Sequence, residues 1–325
     1  MSMLHGSTTL ITGGAGGAKF AEGLNCLIAR EKLNIIPNIG DDDVFHGLWV
    51  SPDVDTLLYT LANDINREQG WGLKDDSYTV LGRLAKLGQA DWMKLGDKDF
   101  ATHIVRTMML AQGSDLQEIT SHLADKLNVR ANIILPSRQT VQTRLHTAQG
   151  TLSMESYFVE HGTKPQVEQV EFVGEGLSQA NSECIKALES VETVLISPSN
   201  PILSIAPTLS IQGVQHALRN TAAHRIAISP IIAGQSVKGP ACEVMSACGY
   251  SPTVTGVAEF YHGLIDALVI DHADEHHATD IRRMGIDVLV TDTLMPNISR
   301  RIQLAKEVLS YAATEKLARK QKGAA

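Results

Sequence analysis

A glycine-rich turn stands directly behind a short apolar run, and this placement constrains the fold more than any other feature of the chain. Thr9-Leu10-Ile11 leads into Gly13-Gly14-Ala15-Gly16-Gly17-Ala18-Lys19. A backbone stripped of side chains can wrap its N–H groups around a phosphate, and the helix that follows adds partial positive charge at its start. The turn is not a Walker A loop, because Gly-Lys-Ser/Thr is missing. It also fails the dinucleotide pattern, since Lys19 stands where glycine or alanine is required. Its bland alternative is a tight strand-to-helix turn.

The pattern predicts a strand over 8–12, a helix over 18–30 with Phe20, Leu24 and Leu27 on one face, and a second strand over 33–39. From 56 to 129 the periodicity is helical, and from 131 to 173 it is extended. Further short apolar runs at 193–197, 225–232, 267–271 and 287–291 are each followed by a helical pattern. Such alternation predicts one α/β domain with a largely parallel sheet covered on both faces. Its core spans about 8–55 and 130–310, with a helical insertion over about 56–129. Open parallel sheets bind ligands at the carboxyl ends of their strands. The polar motifs fall at such ends: the glycine turn, the acids after the second strand, Ser197-Pro198-Ser199-Asn200-Pro201, and Ser229-Pro230 leading to Lys238-Gly239-Pro240.

The acids are Asp41-Asp42-Asp43 and Ser51-Pro52-Asp53-Val54-Asp55-Thr56. If the second segment is extended, Asp53 and Asp55 share a side. Burying several aspartates together needs a cation or a shared proton. A phosphate cradle beside an acid cluster suits phosphoryl chemistry.

Other features are plainer. Lys94-Leu95-Gly96-Asp97-Lys98-Asp99 reads as a solvated turn, and the 197–201 loop as a helix cap by Ser199 or Asn200. His276 and His277 are adjacent on a helical pattern and point apart, which disfavours a metal site. The net charge of -8 argues against nucleic-acid binding, and Lys316 to Lys322 reads as a solvated helix end. No apolar stretch approaches membrane-spanning length, no secretory signal is expected, and the four cysteines form no CxxC pair. A cytoplasmic protein with reduced thiols is expected.

Taken in order, Gly13-Gly14-x-Gly16-Gly17-x-Lys19, Asn38 to Asp42, His46-Gly47, Ser51 to Tyr59, Trp71-Gly72, Lys94 to Asp99 with Ala101-Thr102-His103, Ser197 to Pro201, Ser229-Pro230-Ile231 and Lys238 to Ala241 resemble the CofD family. These are the 2-phospho-L-lactate transferases of coenzyme F420 biosynthesis, called FbiA in mycobacteria. The resemblance implies a Rossmann-like three-layer α/β/α fold and a homodimer. It implies transfer of a phosphorylated three-carbon acid from a guanosine diphosphate-linked donor to the deazaflavin Fo, with magnesium, releasing GMP. By position, Asp55 and Lys94 match Fo-binding residues, with Asp55 in the catalytic role, and Asp41 and Asp53 match metal-associated carboxylates. Gly13, Gly14, Gly16, Gly17, Ser199 and Asn200 would hold the donor diphosphate. Ala15 departs from relatives that carry Thr or Val, which removes a hydroxyl but keeps the amides. The alternative is a UDP-sugar-binding regulator of the YvcK type, where the Pro-Asp-x-Asp-Thr and Lys-Leu-Gly-Asp motifs are not expected.

Overall fold

The computed structural model describes residues 6–174 and 176–323, with side chains described as far as 315. The chain begins with β1 (Thr8–Thr12), α1 (Gly14–Asn25) and β2 (Leu33–Pro37). A hairpin of β3 (Asp43–Phe45) and β4 (Leu48–Val50) follows. The inserted helices are α2 (Pro52–Leu61), α3 (Thr79–Lys86), α4 (Asp97–Ala111) and α5 (Leu116–Lys126). After β5 (Asn132–Ile133), strands β6 (Gln142–Thr147), β7 (Gly150–Ser153) and β8 (Val167–Val173) form a separate antiparallel sheet.

Alternation then resumes with α6 (Ser182–Glu189), β9 (Thr193–Ile196), α7 (Ala206–Ser210), α8 (Val214–Asn220) and β10 (His224–Ile228). A small hairpin, β11 (Ile231–Ile232) and β12 (Gln235–Ser236), precedes α9 (Ala241–Ala247) and α10 (Val254–Phe260). The chain continues through β13 (Ala267–Asp271), α11 (Ala278–Arg283), β14 (Asp287–Thr291) and α12 (Ile298–Gly323). The basic side chains Lys316 to Lys322 lie outside the described residues.

Seven parallel strands make the main sheet in the order β14-β13-β10-β9-β1-β2-β5. Every residue of β1 and β9 is buried, so both faces of the sheet are covered there, as is usual for parallel strands. The chain runs outward from β1 through β2 to β5, then returns to place β9 on the other side of β1. That reversal opens a crevice at the carboxyl ends of β1 and β9, the usual ligand position in such sheets.

Four expectations change. The first helix starts at Gly14, so the glycine turn is its first turn rather than a separate loop. Helix begins at Pro52, where proline at N1 and two acids in the first turn favour it, so Asp53 and Asp55 lie on a helix and diverge. Asp97 already opens α4, leaving only Lys94 to Gly96 as loop. The extended region after 131 gives the main sheet only β5, because β6 to β8 pair with one another.

Helix α1 is packed between α2 and α12. Gly23 lets α12 approach closely, since a Cβ there would stand 2.3 Å from the Arg301 carbonyl oxygen. Arg301 also donates to the buried carboxylate of Glu22, which accepts from Arg67 at 2.7 Å as well.

Candidate active site

A cavity of about 540 Å³ lies at the carboxyl end of the parallel sheet. It is lined by residues just beyond β1 (Gly13), β2 (Asp41), β9 (Ser199), β10 (Ser229) and β14 (Thr293). The inserted helical region adds Asp55, Tyr59, Lys94 and His103, and the segment after β7 adds Met154, Glu155 and Phe158.

The glycines divide by task. Gly14 has φ +66°, a conformation that favours glycine. A Cβ at Gly13 would stand 2.7 Å from the Ser204 carbonyl oxygen, and one at Gly16 would stand 2.8 Å from that of Pro198. Gly17 does not line the cavity. It sits against hydroxyls, and a Cβ there would meet Thr12 Oγ1 at 2.1 Å and Ser199 and Ser197 Oγ at 2.8 and 2.9 Å. Gly17→Ala should therefore lower stability by about 1–3 kcal/mol through overpacking, read as a fall in thermal midpoint. Ser199 Oγ donates to the Gly13 carbonyl at 2.6 Å, and Asn200 Oδ1 accepts the amides of Ile202 and Leu203. Both side chains thus brace the loops around the glycine turn.

Of the three consecutive aspartates only Asp41 faces the cavity. Asp42 is buried, with Ser51 Oγ donating to it at 2.8 Å, and burial pushes its carboxyl up to about 8. Asp43 pairs with Arg144 at 3.2 Å. Asp41 Oδ1 is buried without a hydrogen-bond partner. Burial, then the charges of Asp53, Glu155 and Asp42, raise its carboxyl well above the ordinary range. Burial also raises Asp53, against hydrogen bonds from Asn38 Nδ2 at 2.9 Å and the Gly14 amide. Glu155 is pushed up to about 7 by burial and by Asp53.

Asp55 belongs to a different network. Arg106, fully buried on α4, donates to Asp55 Oδ1, approaches His103 Nδ1 at 3.1 Å, and reaches the Trp49 carbonyl at 3.4 Å. A guanidinium can only donate, so His103 Nδ1 accepts and the ring proton sits on Nε2. That Nε2 lies 3.3 Å from Asp99 Oδ1, out of line for a hydrogen bond, while the Tyr59 hydroxyl donates to the same oxygen at 2.7 Å. Burial and the neighbouring acids raise the Tyr59 phenol well above its usual range, which keeps it a neutral donor. Asp55 Oδ2 is left buried with no hydrogen-bond partner. The arrangement fixes one carboxylate oxygen by hydrogen bonding and leaves the other buried, 3.7 Å from His103 Nδ1.

Lys94 lies at the exposed rim, its Nζ donating to the Asp91 carbonyl at 2.9 Å. Glu155, Arg106 and the cavity cations Lys19 and Lys238 were not among the expected site residues. Lys19 and Lys238 stand within quoted motifs and could have been found there. Nothing in the sequence marks Arg106 or Glu155.

Residues 8–300 match the family model described as 2-phospho-L-lactate transferase CofD. The chain belongs to the CofD family. A 2-phospho-L-lactate transferase of Methanosarcina mazei is 33% identical over 300 residues, covering 92% of this chain and 98% of its own. One from Methanopyrus kandleri is 36% identical over 305 residues, covering 93% and 96%. A phosphoenolpyruvate transferase of Streptomyces coelicolor is 33% identical over 309 residues, covering 93% and 97%. A crystal structure of a UPF0052-family protein from Bacillus halodurans superposes with a TM-score of 0.62 at 14% identity, covering 92% of this chain and 98% of that one. That likeness shows the fold alone. The CofD-family chain is thus a transferase of the 2-phospho-L-lactate transferase type, in coenzyme F420 biosynthesis. Among its described residues no helix is long and apolar enough to cross a membrane.

Proposed function

We propose that this chain moves a phosphorylated three-carbon acid from a guanosine diphosphate-linked donor to the ribityl hydroxyl of Fo, giving coenzyme F420-0 or its dehydro form and GMP. The observation that carries the reading is one cavity lined by the glycine turn, the acids Asp41 and Asp53, and Asp55, whose buried Oδ2 has no hydrogen-bond partner. A regulator that only bound a UDP-sugar would have no use for a carboxylate held in that way by Arg106.

In this reading the acceptor hydroxyl lies against Asp55 Oδ2. A new P–O bond forms from that hydroxyl to the phosphorus bearing the acid, and the P–O bond to GMP breaks. Asp55 accepts the hydroxyl proton. Such transfers depend on positioning and on charge neutralisation, and the amides at the start of α1 are dipoles that need not reorganise.

Asp41 and Asp53 fit a magnesium ion, which when bound supplies positive charge to the diphosphate. They offer hard oxygen donors, and Asp41 Oδ1 has no other partner. Among the described residues no three acidic, histidine or cysteine side chains form a ready cage. That suits an ion bound by one or two carboxylates and completed by substrate oxygens.

Lys94→Met is expected to raise the Michaelis constant for Fo about ten-fold and to leave GDP binding nearly unchanged. Ten-fold is the low end for a charged hydrogen bond and follows from the exposure of Lys94. Calorimetry showing weakened GDP and intact Fo binding would reverse the assignment. The whole reading is tested by incubating the protein and magnesium with Fo and each candidate donor, then weighing the products. Release of GMP is expected, with a product whose mass is that of Fo plus phospholactate, phosphoenolpyruvate or phosphoglycerate less one water. Absence of any such adduct would overturn it.

A further inference from the structure

Beyond Ala15 the cavity wall carries positive charge that the reaction as described does not use. Lys19 is half-buried on α1 and lines the cavity, with no hydrogen bond or ion pair among the described residues. Burial, then Arg301 and Lys238, lower its pKa. Lys238 approaches from the loop after β12, its Nζ donating to the Gln69 carbonyl at 3.1 Å. A Cβ at Gly70 would stand 3.5 Å from that Nζ and 3.9 Å from Ala15 Cβ, so the ammonium lies near the glycine turn. Arg301 is neutralised by Glu22, but Glu22 also serves Arg67. Half-buried Lys19 thus feels the like charges of Arg301 and the exposed Lys238 with no carboxylate paired to it, an arrangement that an arriving anion would relieve.

The acids stand at the other shoulder of the turn. Asp53 accepts from the Gly14 amide and reaches within 2.9 Å of a Cβ built at Gly13. A divalent ion held there by two carboxylates adds no net charge, so further cations are needed for the rest of the donor. That remainder is a diphosphate, which the turn amides can cradle, and the carboxylate of the three-carbon acid.

We propose that Lys19 and Lys238 form the seat of that carboxylate, so that the chain selects its donor acid by the carboxylate rather than by the groups that distinguish lactate, enolpyruvate and glycerate. This rests on the proposed function above. It accounts for relatives named for different acids while being equally similar to this chain, at 33% identity each.

The test compares three ligands by calorimetry on wild type, Lys19→Met and Lys238→Met. They are GDP, 2-phospholactate, and isopropyl phosphate, which replaces the carboxylate of phospholactate with a methyl group. Wild type should prefer phospholactate over isopropyl phosphate by about ten- to a hundred-fold, the range of a charged hydrogen bond. In either variant that ratio should fall towards unity while GDP affinity stays within about two-fold. GDP binding also shows that the variant is folded. A preference that survives both substitutions, or is absent from wild type, overturns the proposal. GDP affinity falling as far as phospholactate affinity would place the lysines on the diphosphate and overturn it too. Failure of wild type to bind GDP at all would instead remove the guanosine-linked donor, a separate result.

Discussion

Asp55→Asn is expected to lower kcat/KM for the transfer by about 10²–10⁴-fold, the range for losing a positioned proton acceptor. An asparagine keeps the shape of the side chain, but its amide cannot take the hydroxyl proton. The substitution also removes the counter-charge of Arg106, which is 1% exposed and donates to Asp55 Oδ1. A buried cation that loses its partner is costly. The thermal midpoint should therefore fall as well, by the equivalent of about 1–3 kcal/mol. Turnover must accordingly be measured per folded molecule, with retained GDP binding as the control that the glycine turn is intact. Near wild-type turnover in folded protein would remove Asp55 from the chemistry.

Asp41→Asn should move stability and activity in opposite directions. In the free protein Asp41 Oδ1 is buried, without a partner, and surrounded by the charges of Asp53, Glu155 and Asp42. An amide there relieves the repulsion and should raise stability in EDTA by about 0.5–2 kcal/mol, typical of a site held strained for function. The same amide is a poor magnesium ligand, and losing several kcal/mol of charge stabilisation corresponds to about a hundred-fold or more in rate. Thermal melts in chelator and turnover in magnesium measure the two halves. A variant that melts lower and turns over normally would show that Asp41 braces the fold and holds no metal.

Much of the main sheet was legible because its strands are short apolar runs ending in polar or glycine-rich loops. Those runs mark both the sheet and its ligand-binding end. Segments 142–173 were legible as strands by their alternation, but not as a separate sheet, since pairing partners are a tertiary matter. Ser51-Pro52-Asp53-Val54-Asp55 was read for its carboxylates, although proline at N1 with acids in the first turn is equally a helix start. The local rule decided the backbone and sent the two acids to different networks. Which of Asp41, Asp42 and Asp43 meets the cavity could not be read, because the choice depends on Ser51 and Trp49 beside Asp42 and Arg144 beside Asp43. Arg106 was invisible for the same reason. Its significance lies in contacts with Asp55 and the Trp49 carbonyl, both more than fifty residues away in sequence.

The packing of α1 between α2 and α12 has a consequence for how the molecule comes into being. Glu22 is satisfied by Arg301, a residue 279 positions further along. Chains emerge from the ribosome at about 5–20 residues per second, amino end first, and contacts of such separation close last. The glycine turn is thus made well before α12, and its helix waits many seconds for the partner that fixes its far side. During that interval Glu22 is without Arg301 and Gly23 has no α12 backbone against it. A growing chain therefore carries the glycine turn before it has the support that holds that turn rigid, and the turn settles only once α12 has been made.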